Sequence, residues 1–234
     1  DAGRRQVAQR LAEADAGDVE RFLALFELGL RGMRGLEQPE AWADVGPQLY
    51  DAEDEGVRQA ARAVGASFAD QELFRRMRVV LADETAAQEA RRQALTILER
   101  DPAAKNLPLF LELLDHEALR PQVLPLLSRY DDARVAAALL ERLPDWPDQT
   151  ARGAMEVLTS RVEWAVELLD AIAAGRLDKS RLSAYDARQM ASLGSEPLTE
   201  RLSREWGRFG QSSEQIKQEI AKTVAVYQSA PLWA

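Results

Sequence analysis

The sequence predicts an all-α protein, an α-α superhelix of antiparallel helix pairs ending in a C-terminal helical cap. Two observations lead there. A short phrase recurs four times between residues 50 and 160: an aliphatic position, often followed by Arg, two variable positions, then Ala or Val and further aliphatics. It runs Val57-Arg58 with Ala61 and Val64, Ala90-Arg91 with Ala94 and Ile97, Leu119-Arg120 with Val123 and Leu126, and Thr150 with Ala154 and Val157. The phrase returns roughly every 30 residues, within the range that marks stacked repeats, in which no single unit buries its apolar face alone. The second observation is compositional. Ala, Leu, Arg and Glu dominate and aromatics make up only 6%, which favours helix because these side chains lose little freedom there.

The elements follow in order. Residues 3–14 read as a short helix pairing with the next. From Asp18, placed as its cap, Val19, Phe22, Leu23, Phe26, Leu30 and Met33 form one stripe at intervals of three and four. Gly29, Gly32 and Gly35 weaken that helix toward its end, and Pro39 restarts the chain into a helix carrying Trp42, Val45 and Leu49. The first repeat buries Val57, Ala61 and Val64, with Asp54 set to pair with Arg58 four residues on. Its second helix carries Phe68, Leu73, Met77 and Val80.

Thr85 and Gln88 have the form of a capping box opening the second repeat, whose inward stripe is expected at Ala90, Ala94, Ile97 and Leu98. A partner helix begins near Pro108 with Leu111 and Leu114 inward. The third pair covers about 118–142, with Pro121 in the first turn and Pro125 expected to kink or shift the helix. Residues 143–147, Leu-Pro-Asp-Trp-Pro, form a rigid connector, Asp148 starts the fourth repeat, and Trp164, Leu168, Leu169 and Ile172 supply its second helix. After Gly175 come short helices near 179–193 and 195–209, and Ser212 with Gln215 opens a last helix bearing Ile216, Ile220, Val224 and Tyr227. The organisation is therefore 1–50 as N-terminal helical pairs, 51–175 as repeats, and 176–234 as a cap continuous with the array.

Composition restricts function. Thirty-nine acids against thirty bases give a net charge of −9. Nucleic-acid binding relies on cations that displace counterions, so it would need a localised basic stripe. The densest stretch, 58–100, sets eight arginines against six acids and reads as a mixed solvated face. Cysteine is absent, excluding disulfides, thiolate catalysis and covalent c-type haem attachment within these residues. No apolar run of about 20 residues exists to span a bilayer. The first residue is Asp1 rather than Met, so a processed boundary is expected.

Chemical motifs are few. His116, the one histidine, lies between Asp115 and Glu117 at an expected turn and reads as an exposed loop residue. The acids of residues 51–55 before Gly56 echo half of a calcium loop, but its closing twelfth position is Arg62. The glycines at 29, 32 and 35 follow a helix, not a strand, and do not form a dinucleotide fingerprint. Any Ser-His-acid triad would have to use His116. The expectation is no catalytic residue, no cofactor and no metal in this segment. The tryptophans at helical positions read as core, whereas Trp233, beside Pro231, reads as a contact to a neighbouring domain.

Asp54, Val57, Arg58, Ala61 and Gly65 match a known signature, and on them the repeats resemble HEAT repeats, a HEAT/armadillo-like solenoid. The whole chain further resembles the helical region of large exported planctomycete-type proteins. In those, a sugar-dehydrogenase-like β-propeller precedes the repeats and a c-type haem domain follows. That resemblance is strongest at Leu158 to Arg161, Trp164-Ala165, Leu168 to Ile172, Ala187 to Gln189, Leu193-Gly194 and Leu198. It implies an extracytoplasmic or periplasmic setting and a scaffold or spacer contacting proteins or adjacent domains. Candidate interface residues are Tyr185, Arg188, Gln189 and Trp233. An alternative is a segment of a haem-containing oxidoreductase that serves electron transfer through flanking domains. A third is a nucleic-acid-binding solenoid like the HEAT-type DNA glycosylases, which the charge balance disfavours.

Overall fold

The computed structural model describes residues 16–33, 36–101, 103–206 and 221–222. These residues form an all-α fold without strands among them, built from adjacent helices packed in pairs. The chain divides into two compact units, Asp1–Tyr130 and Asp131–Ala234. In the first lie α1 (Ala16–Leu30), α2 (Glu40–Leu49), α3 (Glu55–Ser67), α4 (Gln71–Ala82), α5 (Gln88–Leu98), α6 (Leu107–Glu112) and α7 (Arg120–Leu127). In the second lie α8 (Ala133–Arg142), α9 (Asp148–Leu158), α10 (Val162–Ala173), α11 (Ala184–Ala191) and α12 (Glu196–Trp206). Short 3-10 turns occupy Ala104–Asn106, Leu113–Asp115, Leu143–Asp145 and Lys179–Arg181.

Within each unit, helices touch both their neighbour and the helix after it. In the first unit α3 packs on α1, α2, α4 and α5, while α4 packs most extensively on α5. In the second, α10 packs on α8, α9 and α12, and α11 on α12. Contact between alternate helices is what a helical solenoid requires, because one pair's apolar face is covered by the next.

The recurring phrase takes equivalent positions. Val57, Ala61 and Val64 are buried on α3, Ala94 on α5, where Ile97 of the phrase is half-buried, Val123 and Leu126 on α7, and Ala154 and Val157 on α9. Its arginines share one role. Arg58 donates to the carbonyls of Ala52 (2.5 Å) and Glu53 (3.2 Å), Arg91 to Leu81 (3.0 Å) and Arg120 to Leu114 (2.5 Å). Leu81 lies in the last turn of α4 and Leu114 in the 3-10 turn after α6, where backbone acceptors lack an intrahelical donor, while Ala52 and Glu53 lie in the loop between α2 and α3. The fourth phrase has no arginine at that position, and Arg181 supplies it instead, donating to Pro144 (3.3 Å) and Trp146 (3.1 Å).

A buried polar chain organises the first unit. Trp42 Nε1 donates to the Tyr50 hydroxyl (2.9 Å), which donates to Asp70 Oδ2 (2.5 Å). Asp70 also caps α4, accepting from the backbone N–H of Glu72 (2.9 Å) and Leu73 (3.4 Å). The phenol reaches Asp70 across Gly65, where an added Cβ would stand 2.3 Å from the hydroxyl. Glycine is needed at 65 for that close approach. Ala69, in the turn between α3 and α4, takes a left-handed φ of 55°. Burial, then the Asp70 hydrogen bond, hold the Tyr50 phenol far above its ordinary pKa.

Several expectations need correction. Asp18 does not cap α1, which begins at Ala16; it lies in the first turn, where its charge still favours the helix dipole. Met33 is exposed beyond the end of α1. Asp54 caps α3 through the Val57 N–H (2.9 Å), so the ion-pair partner of Arg58 is Glu55. Thr85 forms no capping box, since its hydroxyl donates to Asp83 (2.7 Å) in a tight local turn and α5 starts after Ala87. The α5 stripe is rotated from the expected one: Arg91, Ala94, Leu95 and Leu98 are buried, whereas Ala90 and Ile97 are half-buried. The buried Arg91 stem explains the rotation, because its bond to Leu81 turns that face inward. Residues 3–14 and the helix expected after Ser212 lie outside the description, except Ala221 and Lys222, which are helical.

Two stability measurements check this packing. Leu98→Ala should cost about 2–5 kcal/mol in urea unfolding, a cavity penalty, with Ile97→Ala costing distinctly less. Equal losses would mean that the α5 stripe is set wrongly. Tyr50→Phe should cost about 1–3 kcal/mol, because Trp42 Nε1 and Asp70 lose their shared partner; an unchanged urea midpoint would contradict the role given to the hydroxyl.

Candidate interaction site

The expected interface residues on α11 owe their placement to a reciprocal cap. The Ser183 hydroxyl accepts from the Asp186 N–H (3.2 Å), while Asp186 Oδ2 accepts from the Ser183 N–H (2.9 Å) and hydroxyl (2.6 Å). This capping box starts α11 at Ala184, turning Ala187 and Met190 inward and leaving Tyr185 and Arg188 exposed. Tyr185 is 62% exposed. Gln189 is half-buried, and its Oε1 is shut from solvent without a hydrogen-bond partner among the described residues. Trp233 lies outside the described residues.

Tyr185 lines a cleft of about 710 Å³ between α9 and the segment leading into α11. Ala151 and Met155 are buried beneath it, and Asp148, Arg152, Glu156, Arg181 and Asp186 bring charge to its lining. Three of those charges are committed. Arg181 pairs with Asp148 (3.1 Å) besides holding Pro144 and Trp146, and Asp186 serves the cap. Arg188 and Gln189 are not among the lining residues. The sequence reading missed α9's contribution, although Asp148, Arg152 and Glu156 recur at steps of four on one helix face.

The other sequence candidates have structural surroundings. His116 is half-buried after the Leu113–Asp115 turn, with Nε2 3.8 Å from Glu84 Oε1. Of the acids at 51–55, Asp51 pairs with Arg76, Asp54 caps α3, and Glu55 holds Arg58 and Gln59. Gly32, with φ of 84°, ends α1. Trp42, Trp146 and Trp164 are core residues.

The arginines of 58–100 are tied down within the first unit. Arg62 donates to Tyr50 O (3.0 Å), Arg78 pairs with Asp101 (2.9 Å), Arg92 with Glu89 (3.0 Å), and Arg100 donates to Ser67 (3.1 Å). Glu72 accepts from both Arg75 (2.7 Å) and Arg76 (2.8 Å), and Arg76 continues to Pro47 O (3.1 Å) on α2. The bonds from Arg75 and then Arg76 hold the Glu72 carboxyl down to about 2. The Arg134 guanidinium likewise lowers Asp132 to about 2.

Among the described residues, no helix is long and apolar enough to cross a membrane. The chain matches no protein-family model, and a search of curated proteins finds no significant match.

The Glu72 cluster predicts a pH dependence. A carboxyl lowered by folding stabilises the native state above its unfolded pKa, and that contribution disappears as pH falls through the folded value. Glu72→Gln should therefore be less stable than the parent at pH 7, with the difference shrinking as pH falls from about 4.5 toward about 2. Thermal melts of both proteins across that range test it; a constant difference would refute the linkage.

Proposed function

We propose that this chain is a non-enzymatic HEAT-like scaffold or spacer that positions protein partners or adjacent domains. The observation supporting it most is the repeated joint, in which Arg58, Arg91, Arg120 and Arg181 each hold backbone carbonyls at a helix end or in the connection that follows it. Such joints hold helix pairs in register within each unit, and registered pairs present a surface suited to binding. Engagement of the arginines in 58–100 with neighbouring groups also favours a protein partner over a nucleic acid, whose phosphates need available cations.

By the family resemblance, the neighbours in a parent protein are a β-propeller and a c-type haem domain, and the setting is extracytoplasmic. The segment then contributes spacing and contact, and the redox chemistry belongs to its neighbours. Isothermal titration of residues 1–234 with the polypeptides encoded on either side is expected to give saturable heat. No heat with either leaves only a spacer role and removes the contact reading. A Cys-x-x-Cys-His sequence encoded downstream is expected, and its absence removes the haem neighbour.

A further inference from the structure

The cleft beside Tyr185 carries a more specific reading, which rests on the scaffold function just proposed. Its charges differ in availability. Asp148 already has an ion-pair partner in Arg181, at 3.1 Å, and Asp186 is occupied by the Ser183 backbone and hydroxyl. Arg152 and Glu156 are exposed, and their side chains make no hydrogen bond or ion pair among the described residues. The α9 wall of the cleft thus sets an unbonded cation, Arg152, one turn from an unbonded anion, Glu156. Tyr185 lines it from α11 over a buried apolar base of Ala151 and Met155.

The spacing restricts what satisfies both charges together. Four residues of α-helix rise about 6 Å, so Arg152 and Glu156 project one turn apart on the same face. In an extended polypeptide, side chains two residues apart share one face and are separated by about 6.6–6.8 Å, while the residue between points the opposite way. A strand lying along α9 can therefore set an acidic side chain against Arg152 and a basic one against Glu156. Its central side chain then turns toward Tyr185, where aromatic packing favours a ring. The cleft's volume, about 710 Å³, falls within the range of small-ligand sites.

We propose that this cleft docks an extended partner segment of the pattern acidic–aromatic–basic, read by Arg152, Tyr185 and Glu156. Arginine supplies directional recognition of the carboxylate, since its planar fork matches both oxygens. Opposite charges on one wall also discriminate against partners carrying a single sign, because either like-signed segment places one charge against its own kind.

The test uses fluorescein-labelled, C-terminally amidated Gly-Glu-Phe-Lys-Gly and the intact 234-residue chain, read by fluorescence anisotropy. Saturable binding is expected, with Gly-Lys-Phe-Lys-Gly and Gly-Glu-Phe-Glu-Gly each about tenfold weaker, equivalent to about 1.4 kcal/mol. Arg152→Glu should reverse the preference toward Gly-Lys-Phe-Lys-Gly, and Glu156→Lys toward Gly-Glu-Phe-Glu-Gly. Tyr185→Ala should weaken all three peptides. These side chains are exposed, and reversal of preference is a result that damaged folding does not produce. Absence of saturable binding at millimolar peptide, or affinities that ignore both charge reversals, overturns the assignment. If the flanking polypeptides still give heat with residues 1–234, the cleft assignment falls while the scaffold reading stands.

Discussion

A helix that ends inside a packed protein leaves carbonyl oxygens that no further turn can satisfy, and this constraint governs both units. Leaving such an acceptor buried and unmet costs about 1–3 kcal/mol, enough to discourage stacking wherever a chain reverses. Here four of the reversals are met by guanidinium groups, three of them reaching back from the start of the next helix and the fourth, Arg181, from beyond α10. Arg58, Arg91 and Arg120 do this from within the recurring phrase, and Arg62 and Arg76 add bonds to Tyr50 and Pro47. The apolar stripes account for attraction between helices; the arginines account for their register.

The two units use this constraint differently. In the first, the joints accompany a buried polar chain through Trp42, Tyr50 and Asp70, so α2, α3 and α4 are fixed by directional bonds as well as by packing. In the second, Arg181 comes from beyond α10 to hold the connector before α9, and its placement also shapes the end of the cleft. Structure and candidate site are linked there through one side chain. Arg152 and Glu156, on the α9 wall of the same cleft, are left outside such bonds.

Much of the helical order was legible because helix burial follows a 3.6-residue period, and Val57, Ala61, Val64, Ala154 and Val157 are buried where that period places them. The errors arose where a local side-chain bond competed with a general pattern. Thr85 turned toward Asp83 instead of capping, Asp54 capped instead of pairing, and Arg91 drew a charged position inward. None of these choices is encoded by periodicity: the first two are set by side-chain bonds two or three residues away, and the third by a carbonyl that the preceding helix brings to Arg91. Tyr185 and Arg188 were nameable from sequence as surface residues, but the cleft was not. It requires α9 and the 180–186 segment to face each other, and residues some 30 positions apart carry no local signal of that meeting.

The hydrogen-bonded indole of Trp42 has an optical consequence. It is the sole tryptophan in residues 1–130, whereas residues 131–234 contain Trp146, Trp164, Trp206 and Trp233. Its ring lies among Phe26, Tyr50 and Phe68, sealed from solvent. A shift in its emission therefore follows unfolding around α2 in the first unit, a local optical report that needs no attached dye.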